Sequence, residues 1–294
     1  MLKPRSTLWR RLGQAWAGLR RLAPPPNAFL GDHTSLTLLD GHLMIFVDTR
    51  SNDVAPSLLM RGVWEPEATA LFQRLIRPGD TVFDLGANLG MYTLLAARAA
   101  GPGGVVHAFE PNGRYADLIA RSISVNGFTD RARVHDVALG EAEGQAELVF
   151  SWAWGGGGHL ATDDSGADPA QQRQPCRVIA LDEMFADPDF RVDVVKMDIE
   201  GAEGRALRGM WRLLERSPDA RVIFEFAPGL LALHGVGAAE MIHLLSELGF
   251  RFWEVGAESQ LRVMEAEALA VMTDGLTTIL AARGAALPSR GPRP

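Results

Sequence analysis

The stretch TVFDLGANLGMYT, residues 81–93, decides how this chain folds. Thr81, Val82 and Phe83 favour a strand, which runs into Asp84. Gly86, Ala87, Asn88 and Gly90 then bring little side-chain bulk before MYTLLAARAA takes up helical spacing. In an open α/β sheet, ligands sit beyond the carboxyl ends of the strands. The helix N-terminus faces such a ligand, and glycine lets backbone approach it closely. The dinucleotide fingerprint G-x-G-x-x-G is built for a pyrophosphate. Here the spacing is GANLG, and an acid stands two residues ahead of Gly86. Asp84 repels an anion and suits a cationic or amino-bearing ligand.

Outward from this stretch, strand and helix patterns alternate. GVVHAFE reads as a strand, GRYADLIARSISVNG as a helix and ARVHDVALG as a strand, with QAELVFSW added as a hairpin. VDVVKMDIEG and ARVIFEF are further strands, separated by one helix, AEGRALRGMWRLLER. The helix AAEMIHLLSELG and the strand FRFWEV follow, and TTILAAR returns antiparallel because no clear crossover helix precedes it. This order means βαβ units and a mostly parallel sheet, which residues 81–284 are expected to form. Upstream, Asp40-Gly41 between two apolar runs signals a hairpin, and EPEATALFQRLI a helix with Pro66 in its first turn. Residues 155–175 have no apolar period and read as a loop; residues 285–294 read as a disordered tail.

The net charge of −7 argues against a general nucleic-acid binder. The single cysteine, Cys176, excludes an internal disulfide and a cysteine metal cluster, and fits a reducing cytoplasm. Residues 1–26 differ: six basic residues precede the first acid, Asp32, and Leu8, Leu12, Trp16 and Leu19 recur at helical spacing before Pro24–Pro26. The arginines break every apolar run, so neither a signal peptide nor a membrane span fits. Such a basic amphipathic arm either packs or frays, or lies weakly on the inner membrane face through residues 1–23.

Glu110, at the next strand end, is placed to accept both hydroxyls of a ribose. An acid near a positive group, a backbone groove and an acid for a ribose match S-adenosylmethionine, which carries an ammonium, a sulfonium and an adenosine without phosphates. Each piece alone is weak, since strand-end acids often serve as caps. A nicotinamide or other nucleotide protein therefore stays open on the pattern alone, although an NAD(P)-dependent oxidoreductase would need the missing third glycine. A cofactor-binding scaffold without activity is the other alternative. At the far strand ends, Asp198 is the first candidate base, followed by Glu225, Glu200 and His159, while Lys196 suits an ion pair. Glu200 equally suits a helix cap. Asp136, after the third strand, could take an adenine amino group. Asp198 and Glu225 resemble a carboxylate pair for a divalent cation, but Phe226 and Ala227 follow where such sites carry an Asp-Asn pair, so metal-free chemistry is expected. His159 lies in the WGGGG segment, which reads as a lid. His243 falls in a helical apolar period and is expected to be partly buried.

RGVWEPE, RPGDTVFDLGANLGMYTLLAA, AFEPN, VALG and VVKMDIEGAEGRALRGM, in this order, resemble the FkbM-type family of S-adenosylmethionine-dependent methyltransferases. The resemblance spans roughly residues 45–285. It implies an α/β, class I Rossmann-like methyltransferase fold: a seven-stranded, mostly parallel sheet with one antiparallel strand and helices on both faces. It also implies O-methylation of a hydroxyl on a sugar, glycan or natural product, with the segment 27–80, around Glu65, covering the cofactor site. The cofactor set expected is then Glu65, Asp84, Gly86, Ala87, Asn88, Gly90, Glu110, Pro111 and Asp136. The basic arm and the Gly-rich loop at 152–175 depart from the family pattern, and the loop leaves the acceptor open.

Overall fold

The computed structural model describes residues 24–162 and 168–283. Its main sheet runs Leu261–Met264, Arg251–Val255, Thr277–Ala282, Arg221–Phe226, Val194–Met197, Thr81–Leu85, Val105–Phe109, Ala132–His135. The central strands are buried on both faces and mostly apolar, as strands covered on two sides are. Side chains alternate between two cores. Val82 and Val194 face the helices Pro66–Leu75, Met91–Ala100 and Gly113–Val125. Phe83, Leu85, Val195 and Met197 face Glu203–Arg208, Trp211–Glu215 and Ala238–Glu247. The five strands from Ala132–His135 to Arg221–Phe226 run parallel, and Thr277–Ala282 enters antiparallel between Arg221–Phe226 and Arg251–Val255. This is the class I Rossmann-like methyltransferase arrangement.

The sheet has eight strands rather than seven, and two are antiparallel to the rest. The added one, Leu261–Met264, pairs with Arg251–Val255 after a tight reversal in which the Gly256 N–H donates to the Gln260 carbonyl at 2.8 Å. It is an edge strand with Val263 65% exposed, so it carries no buried apolar run that would mark it in the sequence. Two parts of the segment read as a loop at 155–175 are strands instead. Trp154–Leu160 and Gln172–Ile179 are strands of a second sheet, ordered Ala138–Leu139, Gln172–Ile179, Gly144–Ser151, Trp154–Leu160. Glycines hide such a strand from side-chain patterning while their backbone still pairs. The helix expected over 202–216 is two helices, broken at Gly209, where an added Cβ would lie 2.0 Å from the Gly140 carbonyl. Val54–Arg61 and Pro228–Leu233 are helices not foreseen. His243 is exposed and pairs with Glu247 at 3.1 Å, contrary to its expected partial burial: it sits on the solvent side of its helix.

At the N-terminal side, Thr34–Leu39 and Leu43–Asp48 form the expected hairpin, with Asp40 at φ 51° and Gly41 at φ 68°. Both positive values fit a type I′ turn. Ala28–Gly31 adds a third strand. The basic arm and the C-terminal tail lie outside the described residues, and among those described no helix is long and apolar enough to cross a membrane.

Asp48 ties the hairpin to the helix Gly113–Val125. Its fully buried carboxylate accepts from Arg50 Nε at 2.9 Å, Arg50 Nη2 at 2.6 Å and Arg114 Nε. Burial pushes its pKa up, but the hydrogen bonds from Arg50 and Arg114 outweigh that and hold it below the usual range. A depressed carboxylate stabilises the fold above its unfolded pKa, about 3.9, and the stabilisation is lost as pH falls through the folded value. Asp48→Asn should therefore destabilise the protein at neutral pH by about 3 kcal/mol, the low end for breaking a buried pair, because both arginines keep some solvent. Urea unfolding should show this gap at pH 7 and its narrowing below about pH 4. An equal gap at both pH values would rule out the charge as its source.

Candidate functional site

A cleft opens at the carboxyl ends of Thr81–Leu85, Val105–Phe109 and Val194–Met197. The N–H groups of Gly86 and Ala87 both donate to the Phe109 carbonyl at 3.0 Å, which folds the loop over its neighbour. Gly86 has φ 78°, and a Cβ there would lie 1.8 Å from the Asp198 carbonyl oxygen. Gly90, at φ 83°, caps Met91–Ala100 and rests on the Ile119 side chain. Asn88, at φ 52°, aims its N–H at Glu110 Oε2, 2.7 Å away, and its Nδ2 at the Gly155 carbonyl, 2.9 Å away.

Glu110 is buried in the cleft wall beside Pro111. Its other oxygen accepts the Asn112 N–H at 2.9 Å. Burial pushes its pKa up to about 7, against these two backbone bonds. Each oxygen keeps lone-pair capacity for a ligand. Asn112 in turn caps the helix Gly113–Val125 through Oδ1. An Asn just before a helical run is a sequence signal for such a cap.

The other end of the cleft is acidic. Asp198 and Glu200 line it. The strand ends at Met197, although Asp198 N–H still donates to the Leu85 carbonyl at 3.0 Å. Glu200 and Gly201 then turn through φ 53° and 96°. Glu200 does not cap the helix Glu203–Arg208, which has no side-chain cap; the Glu203 carboxylate accepts the Ile199 N–H at 2.9 Å. Burial, then Asp198 and Glu225, push Glu200 up to about 8. Behind this wall Lys196, buried, reaches Asp198 Oδ2 at 2.8 Å and lies 4.9 Å from the Tyr92 ring centre. Burial would lower the Lys196 pKa, but Asp198, Tyr92 and Glu65 together raise it. The Tyr92 hydroxyl donates to Glu65 Oε2 at 2.9 Å. Glu65, Asp198 and Glu225 each bring a carboxylate oxygen within 4.8 Å of the others. Glu225 is pushed up to about 8 by burial, then by Asp198.

Asp84 lies beneath the loop rather than in the cleft wall. It is 1% exposed, and its Oδ2 accepts from Thr93 Oγ1 at 2.6 Å. Burial pushes it up to about 6. His159 is in the wall, on the strand Trp154–Leu160, with its ring edge-on to His234 at 6.5 Å between centres. The segment read as a lid is thus an ordered strand, tied by Asn88 and by the Gly156 N–H, which donates to Asp53 Oδ2 at 2.8 Å. Asp136 is exposed and lines a depression with Glu143, Arg177 and Glu183, while Val137, Ala138 and Leu139 after it line the cleft and the Asp136 charge adds to burial in raising the Glu110 pKa.

Among the described residues lining the cleft there is no lysine or arginine, and three are acids: Glu110, Asp198 and Glu200. A pyrophosphate meets repulsion there. A nucleoside with a positively charged side arm meets an anchored carboxylate at one end and acids at the other. S-adenosylmethionine fits that charge pattern, and Gly86 leaves backbone bare where it must approach.

The family model of the methyltransferase FkbM domain matches residues 84–252, more than half of the chain. The 31-O-demethyl-FK506 methyltransferase FkbM of Streptomyces tacrolimicus is 30% identical over 161 residues, 46% of this chain and 61% of that protein. The chain thus spans less than two thirds of that relative's length. Methyltransferase 1 of Beauveria bassiana (strain ARSEF 2860) is 27% identical over 187 residues, 55% of this chain and 74% of that one. Among solved structures, a SAM-dependent O-methyltransferase from Thermotoga maritima aligns with a TM-score of 0.43 and 14% identity, over 86% of this chain and 79% of that one. An O-methyltransferase from Bacillus cereus in complex with SAH aligns with 0.41 and 13%, over 79% and 87%. The chain belongs to the FkbM family of methyltransferases, and its cofactor is S-adenosylmethionine.

Proposed function

We propose that this protein methylates a hydroxyl oxygen of a small molecule, on a sugar, glycan or natural product. The observation that supports this most is one cleft lined by a backbone-anchored Glu110 and by Asp198 and Glu200, with Glu65 and Glu225 grouped around Asp198. When bound, S-adenosylmethionine supplies an electrophilic methyl carbon. Glu110 would hold the ribose hydroxyls, with Gly86, Ala87, Asn88, Gly90 and Pro111 shaping the backbone around the cofactor. Asp84 would act from below, by its charge. The segment 27–80 would close one side: Asp53 holds Gly156, and Glu65 holds Tyr92.

An alkyl hydroxyl is a poor nucleophile until it loses its proton. As its oxygen bonds to carbon, the O–H bond breaks and the proton passes to a carboxylate. Asp198 is the first choice, because it lines the cleft and Lys196 holds it in one orientation. Glu225 and His159 stand behind it. A positioned base contributes typically ~10²–10⁴-fold. The reading is metal-free. The Lys196 ammonium, 2.8 Å from Asp198, offsets one charge of the Glu65–Asp198–Glu225 group, and a divalent ion beside it would face a like charge.

Calorimetry tests the cofactor half. S-adenosylhomocysteine should bind, NAD and NADP should bind poorly, and Glu110→Gln should weaken S-adenosylhomocysteine by about 1.5–3 kcal/mol, the range for hydrogen bonds to a charged group. Tight NAD binding without S-adenosylhomocysteine binding overturns the reading. Cofactor binding without turnover on any hydroxyl acceptor favours an inactive scaffold.

A further inference from the structure

Tyr115 sits in the first turn of Gly113–Val125 and lines the same cleft as Glu110, Asn88 and Gly155. It is 2% exposed, and its hydroxyl finds no hydrogen-bond partner among the described residues. A phenylalanine would fill the same place without that penalty, since a buried polar group left unpaired is costly. The ring is held edge-on by Trp152 at 6.4 Å between centres. The hydroxyl lies against bare backbone: a Cβ added to Gly155 would come within 2.3 Å of it. Burial, then the charges of Asp48, Glu110 and Asp53, raise its pKa, so it stays a donor.

A second unpartnered atom lines this cleft. Asn88 Oδ1 is buried without a partner, while the other end of that amide donates to the Gly155 carbonyl at 2.9 Å. The amide therefore presents a fixed acceptor. Glu110 is an acceptor too, held by the Asn88 and Asn112 N–H groups. One donor and two acceptors thus line one cleft. A vicinal diol has the complementary demand, with two O–H groups to donate and oxygens that accept.

We propose that Tyr115 is a cofactor-binding residue whose hydroxyl donates to a ribose hydroxyl oxygen, and that with Glu110 and Asn88 it makes the cleft selective for nucleosides with an intact diol. This rests on the reading of the cleft as the S-adenosylmethionine site. It explains why the glycine at 155 faces a tyrosine: a side chain there would displace the hydroxyl.

The test is calorimetry on the full chain with S-adenosylhomocysteine and its 2′-deoxy and 3′-deoxy analogues, for wild type and Tyr115→Phe. The variant should bind S-adenosylhomocysteine about tenfold more weakly, within the usual worth of one hydrogen bond. For at least one deoxy analogue, wild type and variant should bind alike. The ligand-free variant should melt at the same temperature as wild type or higher, because an unpaired buried hydroxyl has been removed. Unchanged S-adenosylhomocysteine affinity in Tyr115→Phe overturns the proposal, as does an equal loss for all three ligands, which would mark a packing effect. A lower melting temperature without ligand also overturns it, since the hydroxyl would then have a partner in the free protein. If wild type binds no S-adenosylhomocysteine at all, the reading of the cleft itself fails, and that outcome is distinct from the other three.

Discussion

Gly86→Ala is expected to unfold or severely weaken the protein and to abolish S-adenosylhomocysteine binding together. Two effects add. A side chain at φ 78° carries left-handed backbone strain, about 1–3 kcal/mol. The Cβ would also lie 1.8 Å from the Asp198 carbonyl oxygen, which is main chain and cannot rotate away. Relieving that contact means parting Thr81–Leu85 from Val194–Met197 at their exits, a further overpacking penalty of about 1–3 kcal/mol or more. Gly127 separates the two effects, because it has φ 69° and nothing within 4 Å of an added Cβ. Gly127→Ala should show only the strain and leave cofactor affinity alone. Equal urea midpoints for the two variants would remove the close packing of Gly86 from the account.

Asp198→Asn is expected to lower turnover on the true acceptor by at least ~10²-fold, the usual loss on removing a general base. Affinity for S-adenosylhomocysteine should change little, which also reports that the variant folds with Lys196 unpaired. The pH profile separates Asp198 from its neighbours. The charge on Asp198 helps push Glu200 and Glu225 up to about 8, so removing it brings both down. If Asp198 is the base, the variant is slow at every pH. If Glu225 is the base, the variant stays active and its acid limb moves to lower pH. Chelator should leave the wild-type rate unchanged. Loss of activity on chelation would instead assign Glu65, Asp198 and Glu225 to a metal ion.

What could be read from the residues was whatever leaves a side-chain pattern. Val82, Phe83 and Leu85 announce a strand buried on both faces, and Asp40-Gly41 a hairpin, because each depends on neighbours in the chain. Gly86 and Glu110 were legible for the same reason: each sits at a strand exit. The strand Trp154–Leu160 was not, since its glycines bring no alternation and only its backbone pairing with Gly144–Ser151 defines it. Nor could sequence tell Glu200 from Glu203. The left-handed turn at Glu200 and Gly201 decides which carboxylate takes the Ile199 N–H. Asp136 follows a strand as Glu110 does, but it is exposed where Glu110 is buried, while Val137, Ala138 and Leu139 after it line the cleft.

The placement of Thr277–Ala282 has a consequence for how the protein is made. It is the last strand of the main sheet in chain order, yet it lies inside the sheet, bonded on one side to Arg221–Phe226 and on the other to Arg251–Val255. On the ribosome, the strands around the cleft emerge first. Until Thr277 follows, Arg221–Phe226 and Arg251–Val255 each present an open row of backbone donors and acceptors to the other and to any passing chain. At about 5–20 residues per second the gap persists for roughly seconds. A chain stopped anywhere between Val255 and Thr277 therefore holds every residue of the cleft and still has a slot one strand wide. Its expected fate is to capture a strand from another copy and aggregate. Supplying TTILAA in trans, as a peptide, should reduce that aggregation by filling the slot.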